Sequence, residues 1–292
     1  MKKFLDISDI NKDDLSLILQ YATELEKKRE KPLSNLNIGM LFENYSTRTR
    51  LSFHVAINEL GGEPVKLDFS EMNIQRVESF EDTFEILNCY LDMIVYRTTD
   101  HKRLDIAQKY FKKPIINALS NLSHPCQAVS DIFTLKEHFK NLEGLTISWF
   151  GDMNNVLYSL CQVLELLGNM KLNIFTHKDI SERNKQRFNF KFTNIYHKIE
   201  KSIISNSDCI MTDVYSSMND GKNDNASLLK PFRVDEELMS YTNKEAIFMH
   251  CLPANIDSEV TLAVLKSNKS ITLKQAYNRL VAQRGILKWL VS

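Results

Sequence analysis

Five consecutive residues combine the side-chain types that bind an anion. The segment Ser46-Thr47-Arg48-Thr49-Arg50 carries three hydroxyls and two guanidiniums between an apolar run and a helical pattern. The first amides of a helix lack intrahelical partners and stand at the positive end of its dipole, so a phosphate suits this position. Guanidinium groups add forked, charge-assisted bonds to phosphate oxygens. The simpler alternative is that Ser46 or Thr47 caps the helix while both arginines are solvated.

Other polar clusters follow other apolar runs, at the points where strands would end. They occupy residues 97–98, 124–127, 151–155, 213–218 and 250–253. Because ligands of open parallel sheets bind at the carboxyl ends of the strands, we expect these clusters along one edge of each sheet. Arg97 would then lie beside a phosphorylated substrate, and Asp213 would suit a second, amine-bearing substrate. A solvated arginine at a strand end and an aspartate in a turn are the ordinary alternatives.

Two further candidates, His124 and Cys251, have ordinary structural roles as well as chemical ones. His124 either contributes to a site or caps the helix that starts after it, and Gln127 could point a donor the same way. Cys251 could be a nucleophile, a metal ligand or a core thiol. The sequence contains neither the metal motif HExxH nor the nucleotide motif GxGxxG. We therefore expect no metal and no nucleotide cofactor.

Strands and helices that could position these residues alternate along the chain. The pattern predicts strands at 38–42, 65–69, 93–96, 115–118, 145–150, 172–175, 209–214 and 247–249, and helices at 13–27, 47–60, 80–91, 104–111, 125–139, 156–167, 236–241 and 275–290. This rhythm indicates an α/β fold in which parallel sheets are flanked by helices. It restarts after residue 144, which indicates two domains. The polar stretch 219–230 is predicted to be a mobile loop.

Composition excludes several classes of protein. The 292 residues carry 37 basic and 37 acidic side chains, so the chain has no general attraction to nucleic acid or to an anionic membrane. No apolar run approaches the ~20 residues that span a bilayer, and the start of the chain lacks a secretory pattern, so we expect a cytoplasmic protein. The five cysteines are scattered and form no CxxC pair, which argues against a disulfide framework.

In chain order, the clusters resemble motifs of the carbamoyltransferase family, and in particular of its ornithine branch. FENYSTRTRLSF at 42–53 resembles the carbamoyl phosphate loop, HPCQA at 124–128 resembles the HPxQ motif, and Arg97 falls where the family has an arginine after a strand. HCLPA at 250–254 is similar to the ornithine-branch motif, DVYSSM at 213–218 resembles its D-x-x-x-S-M loop, and NRL at 278–280 resembles the terminal NR motif. The resemblance covers residues from about 40 to 290.

The resemblance implies a role for each matching residue. Carbamoyl phosphate would be bound by Ser46, Thr47, Arg48, Thr49, Asn73, Arg97, His124, Gln127, Cys251, Leu252 and Arg279, and L-ornithine by Asn155, Asp213, Ser217 and Met218. The implied catalytic residues are Arg97, His124, Cys251 and Asp213. The implied reaction gives citrulline and phosphate in arginine biosynthesis, with no metal or organic cofactor. The family forms trimers in which a loop of the neighbouring subunit reaches each site, so a homotrimer or a multiple of trimers is implied.

The resemblance also implies where the domains divide. We predict a carbamoyl phosphate-binding domain at 1–130, on which the C-terminal helix, 272–292, packs back, and an ornithine-binding domain at 131–271. Several positions depart from the family pattern: Asn73 replaces a glutamine, Met153 and Asn219 each replace a glycine, and Asn44-Tyr45 replaces a lysine-proline pair. Amine specificity therefore stays open at this point.

Two other functions compete with the ornithine reaction. A related enzyme could carbamoylate putrescine or N-acetylornithine, but it would be expected to lose Asp213 or the pair at 217–218. A non-catalytic, ligand-binding paralogue would be expected to lose Arg48, His124 or Cys251. The chain retains all of these residues, which favours ornithine as the second substrate.

Overall fold

The computed structural model describes residues 2–70, 72, 77–215 and 225–292. The chain divides into two compact units, which are Met1–Phe133 with Tyr277–Ser292, and Thr134–Ala276. Each unit is built on one parallel sheet flanked by helices. This architecture confirms the predicted α/β fold class and the return of the C-terminal helix to the first unit.

The first unit contains a four-stranded parallel sheet. Its strands are β1 (Asn37–Phe42), β2 (Glu63–Asp68), β3 (Met93–Arg97) and β4 (Ile115–Leu119), in the order β2-β1-β3-β4. Its helices are α1 (Lys12–Lys27), α2 (Arg48–Glu59), α3 (Phe80–Tyr90) and α4 (Lys102–Tyr110), and α5 (Pro125–Phe139) starts after β4. Because β1, β3 and β4 are neighbours and all run in one direction, the residues that follow them meet at one edge of the sheet.

The second unit contains a five-stranded parallel sheet. Its strands are β5 (Thr146–Phe150), β6 (Lys171–Phe175), β7 (Thr193–Tyr196), β8 (Cys209–Thr212) and β9 (Ile247–His250), in the order β7-β6-β5-β8-β9. Its helices are α6 (Asn155–Leu167), α7 (Lys178–Asn184), α8 (Lys201–Ile204), α9 (Ala226–Leu229), α10 (Glu236–Ser240) and α11 (Leu262–Leu265). Here β5, β8 and β9 are neighbours, so the clusters after these three strands also meet at one edge.

The last helix, α12 (Thr272–Val291), packs against α1 within the first unit. Gly285 makes this close approach possible, because a Cβ atom there would lie 2.4 Å from the carbonyl oxygen of Ile18 and 3.1 Å from Ala22. The same helix carries Arg279, whose guanidinium reaches Thr49 at the start of α2. None of the helices in the described residues is both long enough and apolar enough to cross a membrane.

Three sequence predictions about these elements were wrong. The predicted strand at 209–214 ends at Thr212, so Asp213 follows the strand. Part of the predicted loop at 219–230 is helical, because Ala226–Leu229 forms α9, and residues 219–224 lie outside the described residues. The edge strand β7 was missed because its two central residues are exposed, which leaves no alternation of apolar and polar residues to recognise.

Candidate functional site

The amino end of α2 has no side-chain cap. Thr47 stands at the cap position in a helical conformation and makes no capping hydrogen bond, so the capping alternative is wrong for this residue. The Ser46 hydroxyl instead accepts a hydrogen bond from Nη1 of Arg97 at 3.1 Å. Arg48 is the first residue of the helix and is exposed. The start of α2, the hydroxyls of Ser46 and Thr47, and the guanidiniums of Arg48 and Arg97 therefore lie at the same edge of the sheet.

Four guanidinium groups surround this edge of the first unit. Burial, followed by the nearby charges of Arg279, Arg48 and Arg50, lowers the pKa of Arg97 to about 10. Arg279 donates to the hydroxyl of Thr49 through Nη2. Within the described parts of the chain, Arg48, Arg50 and Arg97 form no ion pair with a carboxylate. Positive charge clustered at Arg48, Arg50 and Arg97 without a carboxylate partner in the described residues is suited to a multivalent anion.

His124 lies beside these arginines and is neutral. Burial, followed by the charges of Arg279 and Arg97, lowers its pKa well below the ordinary value. A neutral imidazole keeps one N–H, which can donate to a polarised carbonyl oxygen without adding a charge that must be desolvated. The arrangement therefore provides a neutral hydrogen-bond donor next to a strongly cationic anion site.

Gln127 and Cys126 occupy the first turn of α5. The Gln127 side chain is fully buried, and its Nε2 donates to Oδ1 of Asp131 at 2.9 Å. Cys126 donates from Sγ to the carbonyl oxygen of Asn117 at 3.4 Å, and burial raises the pKa of this thiol to about 12. Cys126 is therefore a structural thiol, whereas Gln127 keeps a polar group to offer to a ligand.

Glu43 joins the ends of β1 and β3, and sequence reasoning missed it. Its backbone N–H donates to the carbonyl oxygen of Arg97 at 3.0 Å, and its side chain is only 4% exposed. The carboxylate accepts hydrogen bonds from Tyr96 (2.5 Å), Thr98 (2.9 Å), the N–H and hydroxyl of Thr99 (3.0 and 3.1 Å) and Arg103 (2.5 Å). These bonds hold the residues on both sides of Arg97, and they fix the direction in which this arginine leaves the sheet.

In the second unit, a buried carboxylate lies among neutral donors. Asp213 is 6% exposed, and it accepts from Nδ2 of Asn154 at 2.8 Å and from Sγ of Cys251 at 3.1 Å. Asn154 also caps α6 by accepting from two backbone amides, and Asn155 is the first, half-buried residue of that helix. Among the described residues, no lysine or arginine forms an ion pair with Asp213. A buried carboxylate without a cationic partner is suited to an ammonium group.

The buried pair of His250 and Glu259 supports the segment that contains Cys251. Nδ1 of His250 accepts the amide proton of Leu252 at 2.9 Å, which leaves the ring proton on Nε2, 3.2 Å from Glu259. Glu259 also accepts from the backbone N–H of Asn255 at 2.6 Å. Leu252 has a φ of 57°, in the left-handed region that few non-glycine residues adopt. The pair thus holds the backbone of this segment in a specific shape.

The structure also brings together three side chains that could ligate a metal. One ligand atom each of Asp213, His250 and Cys251 lies within 4.8 Å of the others. Both ring nitrogens of His250 are already engaged in hydrogen bonds. A metal ion at this group would have to break one of those bonds.

Not every predicted site residue can be located. Asn73, Ser217 and Met218 lie outside the described residues. The structure adds Glu43, Asp131 and Asn154, which contact predicted residues, and Glu259, which contacts His250 next to Cys251. Of these, Asp131 had a local signal, since it lies one helical turn after Gln127. Glu43 had none, because its partners at 96–103 are brought near by the sheet.

Comparisons with known proteins agree along the whole chain. Residues 2–137 match the model of the aspartate/ornithine carbamoyltransferase carbamoyl-P binding domain, and residues 143–290 match the model of the Asp/Orn binding domain. The chain is 39% identical to the ornithine carbamoyltransferase of Agrobacterium fabrum, over 99% of this chain and 97% of that protein.

Solved structures give the same result. The crystal structure of ornithine carbamoyltransferase from Thermus thermophilus superposes with a TM-score of 0.89 at 32% identity, covering 100% of this chain and 99% of that one. The anabolic ornithine carbamoyltransferase of Campylobacter jejuni superposes with a TM-score of 0.87 at 31% identity, covering 99% of both chains.

Proposed function

The chain belongs to the aspartate/ornithine carbamoyltransferase family and is a carbamoyltransferase, and we propose that it transfers the carbamoyl group of carbamoyl phosphate to the δ-amine of L-ornithine. The observation that supports carbamoyl phosphate as the first substrate is the cluster of Arg48, Arg50 and Arg97, which has no carboxylate partner among the described residues. A dianionic phosphate would supply the missing negative charge.

In this proposal the phosphate is held by the uncapped start of α2 and the residues around it. Ser46, Thr47, Arg48 and Thr49 supply amides, hydroxyls and charge, and Arg279 approaches through its bond to Thr49. Arg97 and the neutral ring of His124 donate to the carbamoyl oxygen, where negative charge develops during the reaction. Gln127 is proposed to contact the carbamoyl group.

The second substrate is assigned to the second unit. Asp213 offers a buried carboxylate to a cationic amino group of ornithine, and Asn155, Ser217 and Met218 are the other proposed contacts. The Cys251 thiol donates to Asp213, so the two side chains act as one polar group. The support for an amino-acid substrate is that this carboxylate has only neutral donors in the described part of the chain.

The reaction is a single acyl transfer. The neutral δ-nitrogen of ornithine forms a bond to the carbamoyl carbon, and the bond from that carbon to the phosphate oxygen breaks. One amine proton leaves with the phosphate, so the products are citrulline and hydrogen phosphate. Catalysis then comes from holding both reactants in position and from stabilising the developing oxyanion.

We place the reaction in arginine biosynthesis and propose a homotrimer, or a multiple of trimers, as the active assembly. The support for the biosynthetic direction is that the similar protein from Campylobacter jejuni is an anabolic enzyme. In the proposed assembly, Asn73 reaches the site of a neighbouring subunit.

The test is a comparison of amines. Purified protein is mixed with carbamoyl phosphate and, separately, with ornithine, putrescine, N-acetylornithine or aspartate, and the carbamoylated product is measured. We expect product from ornithine alone. Product from one of the other amines would identify that amine, and not ornithine, as the second substrate. Saturable binding of carbamoyl phosphate without any product would identify a non-catalytic paralogue.

A further inference from the structure

The amide of Gln127 has its orientation set by a neighbouring carboxyl group. Gln127 and Asp131 are four residues apart on α5, so their side chains lie on the same face of the helix, and both are fully buried. Nε2 of Gln127 lies 2.9 Å from Oδ1 of Asp131. A carboxylate only accepts hydrogen bonds, so the NH₂ end of the amide must face it.

The other end of this amide is left without a partner. The two polar atoms diverge from one carbon, so Oε1 of Gln127 lies on the side away from Asp131. Oε1 is buried and accepts no hydrogen bond from any described residue. Buried carbonyl oxygens are rarely left unpaired, because such an atom has lost its water without gaining a donor. An N–H group of a ligand would satisfy it.

The position of Gln127 relates this acceptor to the anion site. Its backbone N–H donates to the carbonyl oxygen of His124 at 3.0 Å, and the ring of His124 lies in the field of Arg97 and Arg279. An acyl phosphate bound by the arginines would carry its acyl substituent near this turn of α5. Carbamoyl phosphate has an NH₂ group as that substituent, whereas acetyl phosphate has a methyl group of similar size. Only the first can donate to Oε1.

We propose that Asp131 is a positioning residue that selects carbamoyl phosphate over other acyl phosphates, by turning the carbonyl oxygen of Gln127 toward the NH₂ group of the substrate. The inference rests on the proposed function, since it assumes that the anion site binds an acyl phosphate. Asp131 itself does not touch the substrate. It acts by preventing the Gln127 amide from flipping, which would present NH₂ to NH₂.

The test is the Asp131→Asn variant, which keeps the size of the side chain but can both donate and accept. The Gln127 amide then loses its imposed orientation. Dissociation constants of carbamoyl phosphate and acetyl phosphate are measured by calorimetry for the intact protein. We expect affinity for carbamoyl phosphate to fall about five- to tenfold, the value of one hydrogen bond, while affinity for acetyl phosphate stays within about twofold. A merely structural role would weaken both ligands equally, and that result, or no change in either, would overturn the proposal.

Two further variants make the result specific. Ser130→Ala alters a buried side chain on the same helix and should leave the ratio of the two affinities unchanged. Gln127→Met removes the acceptor itself, and it should lower the ratio as Asp131→Asn does, even if the latter folds poorly. A Gln127→Met protein that still prefers carbamoyl phosphate as strongly as the wild type would contradict the proposal. Because binding is measured without ornithine, a failure of the proposed amine specificity would leave this test intact.

Discussion

At the scale of single residues, the candidate site is defined by charged groups that have no counter-ion among the described residues. Arg97 is half-buried beside other guanidiniums, and its burial together with their charges lowers its pKa to about 10, so that it stays charged at neutral pH. Asp213 is buried with only neutral donors in the described part of the chain. Burying a charge without a counter-ion is costly. Each of these residues is therefore expected to gain from a ligand of opposite charge.

Replacing Arg48 should separate function from stability. Arg48 is exposed at the start of α2, so Arg48→Gln should change the midpoint of thermal unfolding by less than about 2 °C. Loss of one charged donor to the phosphate should lower kcat/KM for carbamoyl phosphate by at least about 100-fold. The matched control is Lys12→Gln, which removes an exposed charge at the start of α1. Full activity, or unfolding of Arg48→Gln, would count against the site.

His124 should make the protein less stable in acid. The folded protein keeps this ring neutral, whereas the unfolded chain takes up a proton there below about pH 6.5. Because the unfolded state then binds more protons, the free energy of unfolding falls as the pH drops, by at most about 1.4 kcal/mol per pH unit from this residue. His124→Gln removes that contribution.

Urea denaturation between about pH 7.5 and pH 5.5 tests the prediction. The stability difference between the wild type and His124→Gln should shift in favour of the variant as the pH falls. His54→Gln, on the exposed face of α2, controls for the substitution itself. A difference that stays constant with pH would show that the ring is not held neutral.

At the scale of secondary-structure elements, the site depends on how strand ends are joined. The ends of β1 and β3 are linked by the carboxylate of Glu43, and the segment after β9 is held by Glu259 and His250. Neither acid was predicted as part of the site. Each keeps the backbone beside a predicted ligand-binding residue in place, which is Arg97 in the first case and Cys251 in the second.

Removing the charge of Glu43 should lower the free energy of unfolding more than removing the charge of its partner Arg103. Glu43→Gln replaces an acceptor of several buried hydrogen bonds by a group that also donates, so we expect a loss of about 2–4 kcal/mol in the free energy of unfolding. Arg103→Met should cost about 1–2 kcal/mol, because Glu43 keeps its other donors and Arg103 is partly solvated. Urea denaturation measures both. An Arg103→Met protein as unstable as Glu43→Gln would contradict the central role of the carboxylate.

At the scale of the whole molecule, the proposed trimer requires an apolar surface. In the first unit, Tyr45, Leu51 and Val77 are large apolar side chains exposed to 94%, 60% and 90%. Exposed apolar groups of this kind are typical of surfaces that another protein covers. All three lie in sequence near the phosphate loop or near Asn73, the residue proposed to act across subunits.

Light scattering tests this assembly. We expect a particle of three times the 33.9 kDa chain mass, or a multiple of that. Leu51→Lys should weaken the assembly, because a desolvated ammonium in an apolar interface is costly. Leu262→Lys is the matched control, since Leu262 is 52% exposed in the second unit. A monomeric wild type, or equal effects of both substitutions, would rule out this surface as the interface.

The alternation of strands and helices and the residues suited to chemistry could both be predicted from the sequence alone. Both are local properties, because the apolar stripe of a helix and the buried run of a parallel strand depend on residues that are close in sequence. The same is true of the motif 46–50, and of the spacing that places Asp131 one turn after Gln127. The strand β7 was not predicted, because its own residues show no clear local pattern.

The partner that each of these residues contacts depends on the tertiary fold. Glu43 contacts Arg103 across 60 residues, Cys251 contacts Asp213 across 38, and Arg279 contacts Thr49 across 230. These pairs depend on the order of the strands in each sheet and on the path of α12 across α1. Strand order is set by the packing of the whole domain, because parallel neighbours are joined by crossovers whose length says nothing about which strand will be adjacent.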